Sequence, residues 1–352
     1  MASTHHVYFG TYTRSTSRGI YATTLDDTTG ALTPPVLLAE TANPSWITFS
    51  PDKRFLYAVN ATRAQAVGFA VNPSDGTLSP LPAQTATEPA NAPAHLVVDA
   101  TGRMLIAANY GGGYVASMPI RPDGTLGEPA IIQHTGSGPD PKRQEKPHVH
   151  SVTLSPDNRF AIVCDLGLDR IFTYALDPVN AALTPANPPF AVAAPGSGPR
   201  HFAFAPSGRR AYNITEMGAT VVGYDYDAER GALTPFQTVS TLPPKFDGQK
   251  WAAEVRIHPN GRYLYASNRG HDSIAVFAID AGNGRLTPVE TVPSGGKVPR
   301  NFALSPNGRW LVCGHQDSDN VTVFSVDSTT GRLTKTAHTI AVPMAVCVQF
   351  YD

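Results

Sequence analysis

The chain has 352 residues, with Lys plus Arg 27 against Asp plus Glu 28 and a formal net charge of -1, which excludes a global basic field for nucleic acid or anionic membrane. Its 30 glycines and 32 prolines are spread along the whole length, as punctuation for many short strands, and are not gathered into one linker. No run of about eighteen apolar residues occurs, which argues against a membrane-spanning helix, and a charged fraction of 16% suits a compact soluble body.

The first residues, MASTHHVYFGTYT, lack the basic start and apolar run of a secretory leader, so a cytoplasmic location is expected. The His5-His6 pair is expected at the surface, with at most a weak metal signal. Val7 to Thr11 reads as the second strand of a sheet whose first strand is missing at this end. From Ser50 onward a turn-and-strand motif recurs: SPDKRFLYAVN at Ser50, DATGRMLIAAN at Asp99, SPDNRFAIVCD at Ser155, APSGRRAYNIT at Ala205, HPNGRYLYASN at His258 and SPNGRWLVCGH at Ser305. The turn arginines 54, 103, 159, 209, 262 and 309 are spaced by 49, 56, 50, 53 and 47 residues, and they are expected to bridge between neighbouring repeats on one face. A second marker, G-x-L-x-P around Leu32, Leu78, Leu126, Leu183, Leu233, Leu286 and Leu333, raises the count to seven units, although the Leu183 copy lacks the glycine, the Leu333 copy lacks the proline and the Leu126 copy has it one residue later, at Pro129.

Each unit reads as four strands. In the first complete one they are Trp46 to Phe49, Phe55 to Val59, Ala66 to Val71 and a weaker outer strand near Ala83 to Thr87. A period near fifty with four strands per repeat predicts an all-β, seven-bladed β-propeller spanning residues 1–352 as a single domain. Pro343 to Phe350 resembles an innermost strand with nothing after it, so the two ends are expected to complete one blade together and to remove two open sheet edges. Cys164, Cys313 and Cys347 lie in apolar strand-like runs without metal or redox spacing, and are expected as buried thiols.

In a blade, the residues that open the first strand and those that follow the second share one face. The strand-one entrances are Ser45-Trp46, Ala94-His95, His150-Ser151, Arg200-His201, Ala253-Glu254 and Arg300-Asn301. The strand-two exits are Asn60-Ala61, Asn109-Tyr110, Asp165-Leu166, Thr215-Glu216, Asn268-Arg269 and His315-Gln316. Most of the reactive side chains fall into these two registers, and His95, His150, His201, Glu216, Glu254, Arg200, Arg269 and Arg300 are expected to converge on one channel mouth. Two insertions, His134 to Pro147 and Leu242 to Lys250, precede first strands and are expected to rim that mouth as a partial lid.

The motifs KPHVHS, GPRH, WAAE, SNRGHDSIAVF and PRNF, at Lys146, Gly198, Trp251, Ser267 and Pro299, together resemble the seven-bladed lactonase family, which includes 6-phosphogluconolactonases and carboxymuconate cyclases. The resemblance runs through nearly the whole chain. It implies a lactone hydrolase acting on an anionic sugar lactone, 6-phosphogluconolactone above all, with active-site residues at His150, Arg200, Glu216 and Arg269. The other polar residues of the two registers, His95, Tyr110, His201, Glu254, Arg300 and Gln316, are candidates for substrate binding. Either His150 or Glu216 could be the general base, with Arg200 and Arg269 stabilising the oxyanion and the substrate anion. The mouth holds more arginines than carboxylates, which disfavours a divalent cation, and no phosphate loop, nucleophile elbow or dinucleotide fingerprint stands in context; no metal and no cofactor are expected. The alternatives are a carboxymuconate cyclase of aromatic catabolism and a propeller that only binds a protein partner. Nothing in the residues selects an oligomeric state.

Overall fold

The computed structural model describes residues 4–62, 65–82, 85–86 and 93–351, and these form β-strands and turns without a helix. The chain opens with β1 (Thr4–Thr11), β2 (Gly19–Asp26) and β3 (Val36–Glu40). There follow β4 (Ile47–Phe49), β5 (Phe55–Asn60), β6 (Gln65–Val71), β7 (Leu78–Pro80) and the short β8 (Thr85–Ala86). The third group is β9 (Pro93–Val98), β10 (Met104–Asn109), β11 (Tyr114–Pro119) and β12 (Ala130–Gln133). The fourth is β13 (Val149–Leu154), β14 (Phe160–Asp165), β15 (Arg170–Asp177) and β16 (Ala182–Val192), and the fifth is β17 (Pro199–Phe204), β18 (Arg210–Thr215), β19 (Thr220–Asp227) and β20 (Ala232–Ser240). The sixth is β21 (Ala252–Ile257), β22 (Tyr263–Asn268), β23 (Ser273–Ile279) and β24 (Leu286–Pro293). Last come β25 (Pro299–Leu304), β26 (Trp310–His315), β27 (Asn320–Val326) and β28 (Leu333–Ala341), with β29 (Ala345–Tyr351) at the end.

Each of these groups is an antiparallel meander, and the sheet of β1 to β3 takes β29 as its innermost strand, in the order β29-β1-β2-β3. The fold is the seven-bladed β-propeller expected from the repeat. Val7 lies opposite Phe350 and Phe9 opposite Val348 in the closing pair. Their side chains join Val312, Val321, Val323 and Trp310 in one buried cluster, and burying each such valine stabilises the fold by roughly 1.5–3 kcal/mol. The chain divides into two compact units, one of Met1–Glu40, Ala203–Asp225 and Pro235–Asp352 and the other of Thr41–Phe202 and Tyr226–Thr234. No helix among the described residues is long and apolar enough to cross a membrane.

The repeated turn works through one side chain. Ser50 Oγ accepts the amide of Phe55 at 3.0 Å, Ser155 that of Phe160 at 2.9 Å and Ser305 that of Trp310 at 3.0 Å. Asp99 does the same with a carboxylate oxygen, 2.8 Å from the Met104 amide. Three residues after each of these comes a left-handed backbone: Lys53, Gly102, Asn158, Gly208, Gly261 and Gly308 all have φ between 57 and 73°. Glycine or asparagine fills five of the six positions because a Cβ is disfavoured there. As expected, turn arginines reach neighbouring blades, Arg159 to Glu229 at 3.6 Å and Arg309 to Asp27 at 3.3 Å, whereas Arg54 faces Asp52 of its own turn.

Two expectations need correction. The outer edge of the first complete repeat is formed by β7, at the Leu78 marker, as well as by β8; of the expected Ala83 to Thr87 strand only Thr85–Ala86 lies within the described residues, and it pairs with β6. The marker leucines likewise open β24 and β28 and fall at the start of β16 and β20, so they signal outer strands and not only turns. His5 is not a surface residue: it is 8% exposed, with Nε2 3.2 Å from Asp27 Oδ1 and its ring edge-on to Phe350. β1 is an interior strand with partners on both sides, which buries His5 as well as its apolar neighbours.

Candidate functional site

Strand pairing places each entrance beside an exit. Val149 lies opposite Asp165, Ala252 opposite Asn268 and Pro299 opposite His315. In all three the register then slips, between Val149 and Ser151, Ala252 and Val255, and Pro299 and Asn301. The unpaired residues are His150, Ala253-Glu254 and Arg300, so bulges aim the entrance side chains.

In the second unit the predicted histidines form one continuous group of rings. His95 stacks on Trp46 with centroids 3.9 Å apart, and its own edge contact with His201 is 5.5 Å. His201 lies 5.2 Å from His150, which meets Tyr110 edge-on at 5.6 Å, and Tyr110 stacks on His148 at 4.5 Å. His95, His150 and His201 are each buried, and Arg200 is 2% exposed. His148 Nδ1 faces the Tyr110 carbonyl at 3.1 Å while Nε2 faces Glu145 at 3.1 Å. Trp46 and His148 join this group of rings without standing among the predicted substrate-binding residues, although KPHVHS contains the second.

In the first unit the predicted charges are paired. Arg269 Nη2 lies 2.6 Å from Glu216 Oε2, with side-chain exposures of 7% and 5%, and also donates to the Ala252 carbonyl at 3.1 Å. Trp251 lies under the guanidinium at 5.7 Å. Burial pulls the Arg269 guanidinium below its ordinary value, Glu216 opposes that shift, and the nearby Arg300 charge adds to it. Arg300 stands 5.4 Å from the centroid of Tyr12, and Arg14 stands 4.3 Å from the same ring. Tyr12 follows the last residue of β1 as Glu216 and Arg269 follow β18 and β22. Counting from turn arginines misses it, because the turn of the closing blade is the one cut open by the chain ends. Glu254 is occupied elsewhere: Oε1 accepts the Val255 amide at 3.1 Å and lies 3.3 Å from Arg256 Nε, while Oε2 accepts the Asn301 side chain. Gln316 donates to Asp317 at 2.9 Å.

The two insertions are tied to their own units. Gln144 is fully buried and donates to the Leu166 carbonyl at 2.8 Å; His134, at the loop's start, bridges Asp165 at 2.7 Å and Tyr174 at 2.8 Å. Burial, with the nearby Asp165 charge, raises the Tyr174 hydroxyl far above its ordinary value. A Cβ at Gly167 would lie 2.0 Å from the Lys146 carbonyl, and one at Gly270 1.9 Å from that of Gln249, so each loop runs against a glycine next to an exit residue. Asp169, buried and left-handed at φ 51°, accepts the amides of Gly196 at 2.6 Å and Gly198 at 2.8 Å and thereby fixes the approach to Arg200. Asp272, also at φ 51°, holds the Val298 amide at 2.7 Å ahead of Arg300. Cys164, Cys313 and Cys347 are buried and none forms a disulfide. Among the described residues no group of His, Cys, Asp and Glu is arranged to hold a metal ion.

A family model described as Lactonase, 7-bladed beta-propeller matches residues 6–350. A 6-phosphogluconolactonase of Bacillus subtilis is 36% identical over 346 residues, 97% of each chain. A 6-phosphogluconolactonase of Cronobacter sakazakii is 33% identical, covering 70% of this chain and 71% of the other. Among solved structures, the periplasmic gluconolactonase of Pseudomonas aeruginosa superposes with a TM-score of 0.94 at 34% identity, over 99% of both chains.

Proposed function

Since the chain belongs to the seven-bladed β-propeller lactonase family, we propose that it hydrolyses a sugar lactone, 6-phosphogluconolactone first among them. The observation that carries this reading is the 36% identity over 97% of both chains to a 6-phosphogluconolactonase. His150 is the general base. The structure supports that choice over Glu216, because a carboxylate 2.6 Å from a buried guanidinium is already committed as an acceptor, whereas His150 stands edge-on among the rings of Tyr110 and His201.

In this reading His150 takes a proton from water as the oxygen attacks the lactone carbonyl carbon. The carbonyl electron pair moves onto oxygen, and Arg200 donates hydrogen bonds to that oxyanion; a donor of this kind typically contributes about 2.7–4 kcal/mol to the transition state. Collapse of the tetrahedral species breaks the ring C–O bond, and the imidazolium returns its proton to the departing alkoxide, giving a hydroxy acid. Glu216 keeps Arg269 oriented and charged, and Arg269 binds substrate anion. His95, Tyr110 and His201 contact the sugar; Glu254 and Gln316, engaged by Asn301 and Asp317, act on it through those neighbours. No metal takes part. We assign the reaction to the cytoplasm, where three buried thiols stay reduced.

The test is turnover on a panel holding the δ-lactone of 6-phosphogluconate, unphosphorylated gluconolactone and a carboxymuconate. His150→Ala should lower kcat by roughly 10² to 10⁴ on the accepted lactone. Near-normal turnover in folded His150→Ala removes the assignment of the base, and activity on the muconate alone removes the hydrolase.

A further inference from the structure

The three guanidiniums near Tyr12 outnumber the carboxylate that meets them. Arg14 and Arg300 lie 4.3 and 5.4 Å from the centroid of one Tyr12 ring, and both Tyr12 and Arg300 act electrostatically on Arg269. Among the described residues no carboxylate forms an ion pair with Arg14 or Arg300, and Arg269 pairs with Glu216. Three positive charges against one negative leave two uncompensated. Repulsion within the group is visible in Arg269, whose guanidinium is pulled below its ordinary value first by burial and then, against the pull of Glu216, by Arg300.

Arg269 carries a second mark of a missing ligand. Its Nε–H is buried and meets no acceptor among the described residues, while Nη2 serves both Glu216 and the Ala252 carbonyl. The loop that carries Tyr12 and Arg14 is held in place from below. Thr11 Oγ1 bonds Ser17 Oγ at 2.6 Å and the Gly19 carbonyl at 2.6 Å, and the Tyr12 amide donates to the Met344 carbonyl at 3.2 Å. A preset cationic group with an idle donor is a binding site for an anion.

We infer that Tyr12, Arg14, Arg300 and Arg269 bind a phosphate monoester dianion, with Tyr12 and Arg14 as specificity residues outside the family's proposed catalytic set. The charge decides the class of ligand. A phosphate monoester carries about −1.5 to −2 at neutral pH, which matches the surplus; a single carboxylate leaves half of it standing, and a neutral lactone leaves all of it. Guanidinium forks also match the three phosphate oxygens geometrically. The inference deepens the sugar-lactone reading by giving the phosphorylated substrate its own contacts, and it rests on that reading for the sugar alone.

Binding is measured calorimetrically at fixed ionic strength with inorganic phosphate and with acetate, for the full chain and for Arg14→Gln and Arg300→Gln. Arg14 is exposed, so its replacement removes no core packing, and circular dichroism checks the fold of both variants. The expected result is tighter binding of phosphate than of acetate, an approximately tenfold loss of phosphate affinity in each variant, and an acetate affinity changed by less than about threefold. Equal binding of the two anions by the parent chain, or phosphate affinity unmoved in both folded variants, overturns the assignment. Loss of phosphate affinity in the variants upholds it even where no lactone is turned over, which separates its fate from that of the hydrolase reading.

Discussion

Replacing Glu216 by Gln keeps the shape of the side chain and removes the charge that faces Arg269. The pair is 2.6 Å apart with both partners more than nine-tenths buried, so solvent screening does little to soften the loss. A buried cation left without its partner typically costs about 3–5 kcal/mol. Arg300 adds to that cost, because its charge already disfavours the protonated Arg269. Urea unfolding followed by tryptophan fluorescence is the assay, helped by Trp251, whose ring lies 5.7 Å from the Arg269 guanidinium. Glu216→Gln should lose about 3–5 kcal/mol, and the double variant Glu216→Gln/Arg269→Met should recover most of it, since removing both charges also removes their desolvation. A single variant within about 1 kcal/mol of the parent, or a double variant costing the sum of the two singles, refutes the argument that the ion pair is held by burial.

Removing residues 343–352 deletes β29, and with it two valines, Val346 and Val348, at 2% and 0% exposure; their burial alone is worth roughly 3–6 kcal/mol. The truncated chain should melt well below the parent or fail to fold, and a barely shifted midpoint contradicts the closure. Burial holds the His315 imidazole below its ordinary value despite the Asn320 carbonyl, so its neutral form belongs to the fold. The stability tied to that ring is therefore complete above the unfolded value of about 6.5 and is lost as pH falls below it. His315→Asn should flatten the dependence of Tm on pH between about 5 and 6.5, and an unchanged slope counts against the assignment. Asp169→Ala removes the acceptor for two amides and places a Cβ-only residue at φ 51°, for an expected loss of about 1–3 kcal/mol; Asp169→Asn, which tolerates that backbone, should recover part of it. Dialysis against a chelator should leave lactone turnover unchanged, and a loss restored by a divalent cation reverses the metal-free reading.

Legibility in the sequence followed how local each signal was. The turn motif carries its own backbone chemistry, in four of its six copies a serine or aspartate that accepts the amide five residues on, with a left-handed residue between, so six units and their middle strands are counted from it and the leucine marker supplies the seventh. β5 and β6 begin and end within one residue of where alternation predicts. Outer strands were less visible because their solvent faces are polar, and in the first complete repeat the edge is divided between β7 and β8. The two registers found the buried histidines and the Glu216–Arg269 pair. Tyr12 escaped because its register must be counted through a turn that joins no consecutive residues. The bulges at His150, Glu254 and Arg300 also lie beyond periodicity, since a one-residue slip has no residue type of its own. His5 misled by composition: paired histidines look solvated until a strand on each side shuts out water.

The seam between β29 and β1 also sets an order of events in time. β1 leaves the ribosome long before its inner neighbour, which begins only at Ala345. Until that neighbour is made, the early strand carries an unmet row of amides and carbonyls along its inner edge, and β29 is the segment that silences it.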